Sequence, residues 1–119
     1  APTDNVAELT ARTNDDGWDS TFVEFLRTSN IDHNDALVVL SVGGGGRQVS
    51  INIVKAVEYA KLRLATVLGI VGRDGGYTAT RANACLVIPP LYKDRITAHT
   101  EGIASVICHL LVSHPALTK

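Results

Sequence analysis

The stretch "LVVLSVGGGGRQVSINIVKAVEYAK", residues 37–61, decides the fold class. An apolar run rich in Leu and Val meets four consecutive glycines and then a helical pattern, in which Val49, Ile53, Val57, Ala60 and Leu64 recur on one side. Two more apolar runs, Ala65–Val71 and Ala84–Ile88, repeat the first, Asp35–Ser41. Continuous runs of this length and composition suit strands buried on both faces of a parallel sheet. A helix of about two turns is expected over Tyr77–Asn83. After the Pro89-Pro90 stop a last one is expected over 97–113, with Ile103, Val106, Ile107, Leu110 and Leu111 on its apolar side. Near the start, Asn5–Thr10 and Trp18–Arg27 read as two helices joined by a polar turn, Thr13–Gly17. Strands alternating with helices give an α/β sheet with right-handed crossovers.

The bounds are those of one domain over residues 1–119. With 45% hydrophobic and 19% charged residues the chain is too apolar for disorder. A net charge of −1 without a basic block offers no electrostatic surface for nucleic acid. The longest uninterrupted apolar stretches, Ala36–Val42 and Ala65–Gly72, fall far short of the roughly 20 residues of a membrane span. No basic-then-apolar leader opens the chain, so a cytoplasmic location is expected. Cys85 and Cys108 lack metal-type spacing and read as buried, reduced thiols. Three strands make a narrow sheet with apolar edges, so we expect a part of a larger domain, or one completed by partners.

Open α/β sheets bind ligands beyond the carboxyl ends of their strands. Ser41, Val42 and the glycines Gly43, Gly44, Gly45 and Gly46 sit at such an end, before a helix N-terminus that favours an anion. A dinucleotide fingerprint starting at Gly43 fails at Gln48, and a P-loop fails because Arg47-Gln48 follows Gly46. Two readings remain: a phosphate cradle with Ser41 and Ser50 as hydroxyls and Arg47 as charge partner, or a flexible loop whose Ser50 or Gln48 caps a helix. The later turn Gly72-Arg73-Asp74-Gly75-Gly76 has the same layout and reads as a connection packed near the site.

Four blocks, "NDDGW", "ALVVLSVGGGGRQVSINIVKAVEYAK", "VLGIVGRDGGYTATRANACLVIP" and "HTEGIASVICHLLVSHP", together resemble the sugar-isomerase (SIS) fold and, within it, the phosphoheptose isomerase family. The resemblance implies a three-layer α/β/α sandwich on a five-stranded parallel sheet of flavodoxin-like order 2-1-3-4-5. It implies tetramers with sites between subunits, zinc in some members, and aldose–ketose isomerisation of sedoheptulose 7-phosphate to a manno-heptose 7-phosphate. Some relatives of this fold are non-catalytic and bind a sugar phosphate or a replication-initiator protein as regulators.

Carried over residue by residue, Ser41 matches the first serine of the family phosphate loop, and Ser50 with Asn52 matches its last serine and following asparagine. Gly43 stands at the middle serine, and the loop is longer through Gly44 and Gly45 to Val49. Asp15 resembles an aspartate near the substrate. Glu101 falls where the family has glutamine and His109 on its catalytic histidine; both are also the candidate zinc ligands. The family's first strand, a glycine-rich loop and a His/Glu-bearing helix have no counterpart here, so a polypeptide longer by several tens of residues is expected.

Chemically, moving a proton between C1 and C2 of a ketose needs a base, and the oxygens need an acid. An imidazole such as His109 serves either role because its ordinary pKa lies near neutrality. Glu101 can polarise, act as base or hold metal, or be a solvated first-turn acid. On one straight helix, eight residues separate the two by about 12 Å of rise and roughly 80° of rotation. Both then reach one ion only if the helix starts after Glu101 or if they act from different subunits; otherwise their roles are separate. His33, His99 and His114 read as structural or surface residues.

Overall fold

The computed structural model describes residues 1–117. Helix α1 (Val6–Asp16) starts at Asn5, whose side chain accepts from the Glu8 N–H at 3.2 Å. It runs through the expected polar turn and ends only at Gly17, with φ at 77°. The cause is local: Thr10 and Thr13 hydroxyls donate back to helical carbonyls, and Arg12 grips Glu8 one turn earlier at 2.6 Å. Arg12 also reaches the Thr28 hydroxyl at 2.8 Å, tying α1 to α2 (Thr21–Thr28). A 3₁₀ turn, Trp18–Ser20, joins them.

Strands β1 (Ala36–Ser41), β2 (Thr66–Val71) and β3 (Ala84–Val87) form one parallel sheet in the order β1-β2-β3. Ala36 pairs with Thr66, Ser41 with Val71, and Val71 in turn with Val87. Helices α3 (Ile51–Leu62) and α4 (Gly76–Arg81) make the crossovers, and α5 (Ile96–Ser113) follows a 3₁₀ turn at Lys93–Arg95. The core lies between β1, β2, α2 and α3, where Leu26, Val39, Ala56, Val57, Ala60 and Val67 are buried together. The helical pattern of α3 holds at Ile53, Val57 and Ala60, but Val49 and Leu64 lie outside the helix and are exposed. Asn83 anchors the sheet's lower end, its Oδ1 accepting from the Val67 N–H at 2.9 Å and from Lys61 Nζ at 3.1 Å.

Only β2 is buried on both faces. Residues one apart face opposite ways, so Val38 and Leu40 lie on the face away from Val39; they are 46% and 53% exposed. Leu86, in register with Ile70 and Leu40, shares that face and is exposed as well. The expectation of strands covered on both sides therefore fails at β1 and β3, both edges of a sheet too narrow to protect them. An apolar groove of about 240 Å³ runs along β1, between Phe22, Leu26, Leu37, Leu40 and Ile53.

Helix α5 leans on β1 and β2 and buries Thr100 beside Gly72, while Val106 and Leu110 are 58% and 57% exposed. With its preceding turn, Lys93–Ser113 is long and apolar enough to cross a membrane by length and composition, at a mean hydropathy of 1.2. Counting uninterrupted apolar runs passes over this segment, because Lys93, Asp94, Arg95 and Glu101 break the run.

Candidate functional site

The loop after β1 is held first by its own residues. The Ser41 Oγ accepts from the Gly44 N–H at 3.1 Å, and the Gly46 N–H donates to the Val49 carbonyl at 2.8 Å. Gly44 and Gly45 take φ values of 68° and 81°, a conformation that glycine adopts without steric cost. Their carbonyls turn to the start of α4. Gly44 accepts from the Thr78 N–H at 2.9 Å and from the Thr78 hydroxyl at 2.7 Å, and Gly45 accepts from the Tyr77 N–H at 2.8 Å. A Cβ on Gly44 would overlap the Gly75 carbonyl, and one on Gly76 would overlap the carbonyls of Gly43 and Gly45. Two glycine turns, one after β1 and one after β2, thus interlock at backbone distance.

Beside this lock lies an open depression of about 740 Å³ at the carboxyl ends of the strands. Its first wall carries Gly43, Gly45, Gly46, Arg47 and Ser50. The second carries Arg73, Asp74, Tyr77 and Thr80, with Pro90 and Ile96 closing it after β3. Ser50 precedes α3 with φ at 53° and makes no side-chain cap, so the reading of Ser50 as a capping serine is not what forms. Asp74 Oδ1 accepts from the Gly76 N–H at 3.2 Å and stiffens the second turn. The Tyr77 phenol donates to Glu58 at 3.0 Å; burial first, then that carboxylate, raises its pKa above the ordinary 10.

Of the residues expected at the site, Gly43, Gly45 and Ser50 line the depression. Ser41 and Gly44 do not: they build the loop, Ser41 through its bond to Gly44 and Gly44 through its packing on α4. Asn52 is buried with its Oδ1 accepting from the Ile53 N–H at 2.9 Å. Asp15 is exposed at the end of α1, accepting from the Asn14 amide at 3.0 Å. Glu101 and His109 are exposed on α5 and outside the depression. Missed from the sequence were Arg73, Tyr77 and Thr80; the signal was the second glycine turn, whose layout copies the first.

The metal expectation meets a geometric obstacle. Helix α5 begins at Ile96, before Glu101, and continues past His109 without a break. The two side chains of one chain therefore do not reach a single small ion, whose ligand bonds are about 2 Å long. Among the described residues no group of three or more His, Cys, Asp and Glu side chains is placed to hold a metal. The described residues of one copy do not by themselves form a zinc site.

The geometry defines an open parallel α/β domain with an anion-suited depression at the carboxyl edge of its sheet. Comparison narrows the class. The chain is 31% identical over 111 residues to the phosphoheptose isomerase of Rhodospirillum rubrum, covering 93% of this chain and 56% of that protein. It is 33% identical over 112 residues to that of Chlorobaculum tepidum, covering 46% of it. The solved phosphoheptose isomerase of Neisseria gonorrhoeae superposes with a TM-score of 0.77 at 30% identity, over 92% of this chain and 57% of that one. That of Francisella tularensis gives 0.73 at 26% identity. No protein-family model matches. In sequence and fold the chain is thus similar to phosphoheptose isomerases over nine-tenths of its length, and it spans about half the length of these relatives.

Proposed function

We propose that the chain forms part of a cytoplasmic phosphosugar isomerase that interconverts sedoheptulose 7-phosphate and a manno-heptose 7-phosphate. The observation that carries this reading is the depression built from two interlocked glycine turns at the strand ends, in a chain similar to phosphoheptose isomerases. In this reading the phosphate sits against Gly43, Gly45 and Ser50, and His109 moves the proton between C1 and C2. Glu101 and Asp15 serve the sugar in separate roles or from a second copy. The exposed apolar side of α5 and the open face of the sheet support assembly into an oligomer, whose sites would draw His109 from a neighbouring subunit. Any zinc would need ligands besides Glu101 and His109 of one α5 helix.

The test is aldose–ketose exchange on sedoheptulose 7-phosphate, wild type against His109→Ala. Because His109 is exposed, the variant keeps its fold while turnover falls by about 10²–10⁴, the usual worth of a positioned acid–base group. Equal turnover in both removes His109 from the mechanism. Tight sugar-phosphate binding without turnover in either selects the non-catalytic, regulatory alternative, which the scarcity of hydroxyls in the glycine loop favours.

A further inference from the structure

We propose that Arg47 and Arg73 form a two-guanidinium clamp for the phosphoryl group of the ligand, taking over work that hydroxyls of the loop do not do. This deepens the phosphosugar reading and rests on it for the identity of the sugar. Both arginines line the same depression, one from each glycine turn. Neither makes an ion pair or side-chain hydrogen bond among the described residues, whereas Arg12 and Arg27 on the helices each hold a glutamate. Two cations without an ion-pair partner, against the single carboxylate of Asp74, raise the local potential for an anion.

The hydroxyl inventory points the same way. Ser41 is turned to the Gly44 N–H inside the loop, Gly43 has no side chain, and the Thr80 hydroxyl donates to the Tyr77 carbonyl at 2.7 Å, which leaves Ser50. A phosphomonoester carries close to two negative charges at neutral pH. One neutral hydroxyl and a backbone N–H from Gly45 do not balance that charge. A guanidinium binds two phosphate oxygens at once and remains charged at every physiological pH. Asp74 lines the same wall beside Arg73, its Oδ1 accepting from the Gly76 N–H, so the two arginines leave the rim with a net positive charge. The interlock fixes the two turns relative to each other, so the bases of both arginines are held by backbone rather than by flexible side chains.

The experiment is calorimetric titration with inorganic phosphate, sedoheptulose 7-phosphate and unphosphorylated sedoheptulose, on wild type, Arg47→Gln, Arg73→Gln and the double variant. Both arginines are exposed, so the fold is checked by circular dichroism and expected unchanged. Each single change should weaken binding of inorganic phosphate and of the sugar phosphate by about tenfold, the lower range for a charge-assisted bond. Affinity for the unphosphorylated sugar should not move. The double variant should also lose most of the salt dependence of phosphate binding. If the double variant binds phosphate as wild type does, or if wild type binds no phosphate at all, the clamp is wrong. If wild type binds phosphate through the arginines but neither binds nor turns over the heptose phosphate, the clamp stands and the isomerase reading falls.

Discussion

Replacing Gly44 by alanine tests the interlock on which the site is built. Its φ of 68° costs an L-residue about 1–2 kcal/mol. The added methyl would overlap the Gly75 carbonyl, with the carbonyl carbon only 2.7 Å away, so one of the two turns must retreat by more than an ångström. Retreat stretches the bonds at 2.9 and 2.7 Å from Thr78 to Gly44 and the bond at 2.8 Å from Tyr77 to Gly45. At about 1 kcal/mol net for each bond, the whole loss is about 4 kcal/mol, against the 5–15 kcal/mol that holds a typical domain. Urea unfolding followed by circular dichroism reads this as a midpoint lower by about 2 M, given a slope near 2 kcal/mol per M. Gly43→Ala is the control, since its φ is not positive and its Cβ meets nothing within 4 Å. Midpoints within about 0.3 M of each other for the two variants and wild type would refute the interlock.

Asn83→Ala leaves the Val67 N–H without its acceptor and should cost about 1–3 kcal/mol, with faster amide exchange at Val67; Asn83→Asp keeps the acceptor and should lose less. Unchanged exchange at Val67 in the alanine variant would show that the strand end finds another partner. Tyr77 should ionise later than an ordinary phenol, because burial and then Glu58 favour its neutral form. The folded chain holds that proton more tightly than the unfolded one, so the contribution is full below pH 10 and is lost as pH rises through the folded pKa. Alkaline absorbance should show a late-titrating phenol component, which should vanish in Tyr77→Phe and move back toward 10 in Glu58→Gln. A titration curve whose late part is unchanged in Tyr77→Phe would overturn the assignment.

The strands were legible because each is a continuous apolar run cut off by glycine or proline, and β1, β2 and β3 lie within a residue of those runs. Covering was not legible, since what lies over Val38 and Leu40 depends on segments far from them in sequence or on another chain. Composition misjudged residues 13–16, because a polar side chain such as Thr13, which bonds back to the Leu9 carbonyl of its own helix, looks like a turn former when only its type is known. Position along the chain pointed to the strand-end loops as the candidate site, and Gly43, Gly45 and Ser50 line the depression there. Ser41 and Gly44 changed role for linked reasons: Gly44 is held by Thr78, 34 positions later, and the Ser41 hydroxyl is turned inward to the Gly44 N–H.

That packing also bears on whether the four glycines serve the chain or its ligand. In a trans peptide the carbonyl and the N–H point in opposite directions. The Gly44 carbonyl is fixed on Thr78, so the N–H of the same peptide, that of Gly45, is turned away from α4. It takes no hydrogen bond among the described residues, and Gly45 lies on the wall of the depression. The next peptide repeats the arrangement through the Gly45 carbonyl and Tyr77, but there the N–H of Gly46 is satisfied by Val49. The close approach of the chain to itself is therefore what aims one backbone donor outward. A side chain at Gly44 would disturb the fold and the candidate site in a single step, whereas a Cβ on Gly43 meets nothing within 4 Å and leaves the lock in place.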